Sequence, residues 1–177
     1  MTGWSGTSAR KPEIFVRDFA CGFVRFPLRI VYGKRTNLSL RQGFAMRQDT
    51  PPPFASTLGI KVISYAPDRI EAELPVRPEL GNRNGNLHGG AVMAFADDLG
   101  GAATIVNLPE GATTATIESK TNFFSTIQVG DVARAECTAL HKGRTTMVWQ
   151  TRITRGDGKL AAIVTQTQLV IAGKFSK

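Results

Sequence analysis

The sequence predicts an α+β fold, a curved antiparallel sheet of about six strands wrapped around one long buried helix. Residues Gly89–Val106 are apolar almost all round, through Ala91, Val92, Phe95, Ala96, Leu99 and Ala103. A helix that is apolar on every side is a buried one in a soluble protein. Four strand-like runs follow without a second helix: Ala115–Phe124, Val132–Leu140, Thr145–Thr154 and Leu160–Ile171. Their joints, Gln128–Asp131, His141–Arg144 and Arg155–Gly158, carry turn chemistry, which favours an antiparallel meander. Two more runs, Leu58–Tyr65 and Arg69–Val76, precede the helix, split by Ala66-Pro67-Asp68. Pro51-Pro52-Pro53 opens a short helix before them, and the polar loop Arg77–Leu87 leads into the long one.

The chain has 177 residues, the size of one domain with an appendage. Its net charge of +8 is unevenly spread. Residues 1–45 hold eight Lys/Arg and two acids, whereas residues 46–177 hold fourteen and twelve. The front segment, 1–45, is therefore read as a basic extension of unknown role, and 46–177 as the folded domain. A nearly neutral domain argues against nucleic acid as a partner, because that function needs a basic face on the folded module itself.

No run of about 18 uncharged apolar residues exists, so no membrane span is expected. The nearest stretch, Ile14–Val31, is interrupted by Arg17, Asp18, Arg25, Pro27 and Arg29. A surface extension packing on the domain or on a partner subunit is the favoured reading of residues 1–45. Contact with a membrane surface is the weaker one, beside a targeting leader or sequence ahead of a start at Met46. Two distant cysteines, Cys21 and Cys137, and two histidines offer no metal-ligand spacing. The expectation is a cytoplasmic protein with no metal and no cofactor.

Chemistry concentrates at Asn82–Gly101, "NRNGNLHGGAVMAFADDLGG". The opening N–H groups of a helix lack internal partners and sit at its electropositive end. Gly89 and Gly90, without side chains, let a ligand oxygen approach those groups, as an oxyanion hole requires. Tight helix–strand packing would favour the same glycines. Asp97 and Asp98 point about 100° apart on a helix, so they occupy different environments. A carboxylate facing a cleft can act as general base toward water or as nucleophile on an activated acyl group. A pair of solvated or capping aspartates is the plainer alternative. Gly89 and Asp97 lie about 12 Å apart along the helix axis, too far to serve one carbonyl within a single chain. Two chains with antiparallel helices across a two-fold axis remove that obstacle.

The spacing of Asn82, Gly85, His88-Gly89-Gly90 and Asp97, inside this order of elements, resembles the hotdog-fold acyl-CoA thioesterases of the PaaI type (phenylacetyl-CoA thioesterase-like), in the 4-hydroxybenzoyl-CoA thioesterase superfamily. The likeness runs from about Leu58 to Ile171. It implies an acyl-CoA thioesterase that releases free acid and CoA and assembles as a homodimer or a dimer-of-dimers tetramer. It implies that Asp97 is the catalytic carboxylate, buried facing a partner chain's thioester, and that the Gly89 amide polarises the carbonyl. Asn82 then positions the water or the carbonyl, His88 contacts the thioester region, and Thr116 helps place the water from across the dimer. Gly101 stands where some relatives carry a hydroxyl, and Asp98 is the fallback for Asp97.

CoA phosphates call for cations, and Arg83, Lys142 and Arg144 are the candidates. Phe95, Phe123, Phe124 and Trp149 are candidates for an acyl tunnel, with core packing as the default. Hydratase or dehydratase chemistry usually needs an Asp/His pair in turns this chain lacks, with His141 placed in a hairpin turn. The rival to catalysis is a non-catalytic acyl-CoA or lipid binder of the same fold.

Overall fold

Proline in the first turn and glycine just past the last one bracket the first helix. The computed structural model describes residues 51–173; the expectations attached to residues 1–45 lie outside the described residues. Helix α1 (Pro53–Leu58) ends at Gly59, whose φ of 81° turns its N–H back onto the carbonyls of Ala55 and Ser56. A left-handed C-cap of this kind favours glycine. It also moves the first strand: Leu58, expected at the start of a strand, closes α1, and β1 begins at Lys61.

Strands β1 (Lys61–Ala66) and β2 (Arg69–Pro75) form a hairpin, and a single 3₁₀ turn, Pro78–Leu80, follows. The long helix α2 spans Gly89–Asn107, and then come β3 (Thr113–Phe123), β4 (Val132–Lys142), β5 (Thr146–Thr154) and β6 (Leu160–Ile171). All six strands join one sheet in the order β1-β2-β4-β5-β6-β3, with every pairing antiparallel. His141 and Lys142, read as turn residues, belong to β4. A register shift between Ala139 and His141 lets them pair with Val148 and Met147, so the connection shrinks to residues 143–145.

Alternation along β2, β4, β5 and β6 sends every second residue inward, as a half-buried sheet demands. Ile70, Leu74, Trp149, Ile153 and Val164 thereby meet Phe95 and Leu99 of α2, all fully buried. The outer face carries charge: Arg69 bridges Glu71 and Glu136, and Arg134 holds Glu73 at 3.0 Å.

Helix α2 is not buried on every side within the chain. Val92, Phe95, Ala96, Leu99, Gly100, Ala103 and Thr104 form the stripe against the sheet. On the far side Met93 is 41% exposed and Ile105 40%, and Asp97, expected to be buried, is exposed between them. Edge strand β3 is likewise exposed over most of its length, with Ile117 at 57%. The apolar content of α2 exceeds what one sheet can cover.

Candidate active site

The loop before α2 is built on Asn82. Its side-chain Oδ1 accepts from the backbone N–H groups of Asn84 (2.9 Å) and Asn86 (3.2 Å), while Gly85 takes the positive φ of 72° that the turn needs. Leu87 N–H and Val129 N–H then pin the loop to the segment before β4, through Ile127 and Gly85 carbonyls at 2.7 and 2.9 Å. With both lone pairs of Oδ1 engaged, the Asn82 amide has only its NH₂ end left for a ligand.

His88 is the N-cap of α2: its Nδ1 accepts from Gly90 N–H at 2.9 Å. Its carbonyl takes the N–H groups of Ala91 and Val92 at 2.9 and 3.1 Å. The ring proton therefore sits on Nε2, which points away from the cap. Gly90 is the residue that makes room, since a Cβ there would come within 3.1 Å of Nδ1. These bonds occupy the N–H groups of residues 90 to 92. Among the described residues none accepts from Gly89 N–H, so one donor stands open at the positive end of α2.

Gly89 lines a cleft of about 360 Å³ together with Asn82, Val92, Phe123, Phe124 and Ala162 among others. Phe123 and Phe124 are more than half exposed and available to an acyl group, whereas Phe95 and Trp149 belong to the core. The indole N–H of Trp149 is used up on Thr104 Oγ1 at 2.8 Å.

Asp97 is not part of this cleft. Two turns further along α2, its Oδ1 accepts from Thr116 Oγ1 at 2.9 Å and from Gln166 Nε2. Thr116 thus bonds the carboxylate of its own chain. A register shift between Thr116 and Glu118 marks the bulge beside it, a device that re-aims side chains at sites. Asp98 points elsewhere. Burial first and Asp97 second push its carboxyl above the usual carboxylate range, and its charge adds to the burial that raises the Tyr65 phenol. Gly101 faces open space: a Cβ there meets nothing within 4 Å, so the missing hydroxyl leaves Thr116 as the hydroxyl on Asp97.

The cations divide. Lys142 is ion-paired with Asp68 and also reaches Pro67 O at 3.5 Å, beside Asn107 at the C-terminal end of α2. Within one chain it is engaged, and it lies at the opposite end of the helix from Gly89. Arg83 is exposed on the Asn82 loop, and Arg144 lies in the β4–β5 connection.

Gln166 and Gln168, which sequence reading passed over, complete the Asp97 cluster. Both are 1% exposed, and Gln168 Nε2 donates to Thr116 Oγ1 at 2.8 Å. Their signal was present: two glutamines occupy inward positions of β6 where alternation calls for apolar residues.

An antiparallel sheet wrapped on one long helix gives the chain a hotdog architecture, with an open N–H at the helix mouth and a carboxylate held two turns along it. The chain belongs to the thioesterase superfamily, whose family model matches residues 84–162. A Haemophilus influenzae protein, an esterase by provisional name, is 34% identical over 116 residues, which cover 66% of this chain and 83% of the relative. A mutant thioesterase from Pseudomonas aeruginosa has a similar structure, with a TM-score of 0.65 at 28% identity over 77% of this chain and 96% of that one. The E. coli PaaI protein shares the fold, with a TM-score of 0.66 at 22% identity over 77% and 95% of the two chains. The protein is a hydrolase acting on thioester bonds.

Proposed function

We propose that the protein hydrolyses acyl- or aryl-acyl-CoA at a site shared by two chains, with Asp97 of one chain acting on a thioester held by Gly89 of the other. The observation that carries this reading is the separation of the two groups. Gly89, with its N–H unpartnered among the described residues, lines a cleft, while Asp97 stands eight residues along the same helix, about 12 Å away. A general base and an oxyanion donor must both lie within about 3 Å of the reacting atoms. Pairing two α2 helices antiparallel brings each Gly89 to the other chain's Asp97. Such a dimer also covers Met93, Ile105 and Ile117, apolar side chains that one chain leaves exposed.

In this reading the thioester carbonyl accepts from Gly89 N–H. Loop bonds already fill the Asn82 oxygen, so this amide acts as a donor, to the carbonyl or to the water. Asp97 takes a proton from water as it attacks, or attacks the carbonyl carbon itself. The C–S bond then breaks and CoA leaves as its thiolate; in the second route water next hydrolyses the acyl anhydride on Asp97, releasing the free acid and regenerating the carboxylate. Arg83 and Arg144 are the cations proposed for the CoA phosphates.

Free-thiol release from a panel of straight-chain and aromatic acyl-CoAs tests the reading, with wild type beside Asp97→Asn. Turnover that vanishes in a folded, oligomeric Asp97→Asn protein supports it. Turnover that survives removes Asp97 from the chemistry. CoA esters bound but never cleaved would favour the non-catalytic binder instead.

A further inference from the structure

We infer that Gln166, given room by Gly100, is a positioning residue that fixes which oxygen of Asp97 faces the thioester. This rests on the reading of Asp97 as the reactive carboxylate.

Gln166 sits on β6 with its side chain under α2, directly beside Trp149 in the β5–β6 register. An amide in that place is costly unless both ends are satisfied. Only one end is. Nε2 donates to Asp97 Oδ1 and reaches Thr116 Oγ1 at 3.2 Å, while the buried Oε1 has no partner among the described residues. An orphaned carbonyl does not serve stability, and it persists where the other end of the group is needed.

The helix gives way to the same amide. A Cβ at Gly100 would come within 2.8 Å of Gln166 Cδ and closer still to Oε1. Gly100 is buried in the middle of α2, where glycine is a poor helix former. Clearance for Gln166 is the physical reason that any larger residue fails there.

Thr116 completes the arrangement. A hydroxyl has two acceptor positions and one proton. Gln168 Nε2 at 2.8 Å and Gln166 Nε2 at 3.2 Å fill the acceptor positions. Gln168 lies against Thr114, whose hydroxyl has Gln168 Oε1 and the Leu169 carbonyl both at 3.0 Å. The single proton of Thr116 is left to Asp97 Oδ1 at 2.9 Å. Oδ1 therefore receives two donors and Oδ2 receives none among the described residues. On an exposed carboxylate that would otherwise rotate, this leaves Oδ2 as the oxygen presented to water or thioester.

The test compares Gln166→Met, Gly100→Ala and Thr116→Val with wild type and Asp97→Asn in the full chain, using the acyl-CoA that wild type cleaves fastest. Gln166→Met keeps length and loses the donor; Gly100→Ala displaces the amide from the helix side without touching it chemically. Each should lower kcat about 10- to 100-fold while KM stays near wild type and the oligomer remains folded. Combining Gln166→Met with Thr116→Val should cost less than the product of the two losses, because both act through one oxygen. Should Gln166→Met prove unstable, Gly100→Ala reads the same contact. A folded Gln166→Met or Gly100→Ala enzyme with wild-type kcat overturns the inference. So does a loss confined to KM. An inactive Asp97→Asn beside a fully active Gln166→Met sinks this inference alone, whereas an active Asp97→Asn sinks the reading of the site beneath it.

Discussion

Thr116 donates its hydroxyl proton to Asp97 Oδ1 at 2.9 Å, joining strand β3 to helix α2 across nineteen residues of sequence. The bond brings together two residues that the family resemblance singled out separately. Asp97 is exposed in the single chain, so its orientation comes from these donors and not from packing. Asp97→Asn should lower kcat by about 10²- to 10⁴-fold, the span of general acid–base contributions, with circular dichroism and oligomer size unchanged. A variant that loses activity only because it no longer assembles would show as a change in sedimentation.

The open Gly89 N–H gives a sharper test of the proposed shared site. Proline is tolerated at the first position of a helix and carries no N–H. His88, with φ −65° and ψ 138°, already has the extended conformation that a residue before proline prefers. Gly89→Pro should therefore fold normally and lose turnover about 10²- to 10³-fold, as removal of one oxyanion donor does. Mixing Gly89→Pro chains with Asp97→Asn chains, then allowing exchange, should restore activity, because each mixed dimer holds one intact pair. If mixtures stay as inactive as their parents, the two groups do not serve one carbonyl across chains.

His88 holds the helix mouth in shape. Replacing it by alanine removes the acceptor for Gly90 N–H and should cost about 1 kcal/mol, read as a drop of roughly 2–4 °C in Tm. Asparagine, a strong N-cap, should recover most of that loss. Equal Tm values for the alanine and asparagine variants would show that the cap contributes nothing.

Asp98 predicts a pH-dependent gain. Burial, then the neighbouring Asp97, hold its carboxyl above the ordinary value of 3.8. A carboxyl raised in the folded chain supports folding while protonated, and that support is lost as pH rises from the unfolded value through the folded one. Asp98→Asn should therefore melt higher than wild type at neutral pH, with the difference shrinking to nothing at about pH 3, below both values. Thermal melts of the two proteins across that range check it. A constant offset at every pH would mean the gain has nothing to do with ionisation.

Much of the architecture was legible in the sequence because it follows from short-range rules. Alternation in Leu160–Ile171, turn residues between the strands and the long apolar run after His88 each depend on neighbours in the chain. The shifts at Leu58 and at His141-Lys142 arose where a local rule yielded to another: a left-handed glycine cap in the first case, continued pairing past a bulge in the second. The glycines and Asp97 were visible as a spacing. The glutamine beneath Asp97 was not. Gln166 lies sixty-nine residues from Asp97, and only the β3–β6 and β5–β6 pairings carry it under the helix. Pattern also overstated the burial of α2, since it reports how much apolar surface a helix has and not what covers it. Sequence by itself determined which elements form and which residues could do chemistry, because propensity and spacing act locally. Tertiary structure alone decided that Asp97 is held by Thr116 of β3 and Gln166 of β6. That is a fact of hydrogen-bond supply, and supply is known only when distant strands have met.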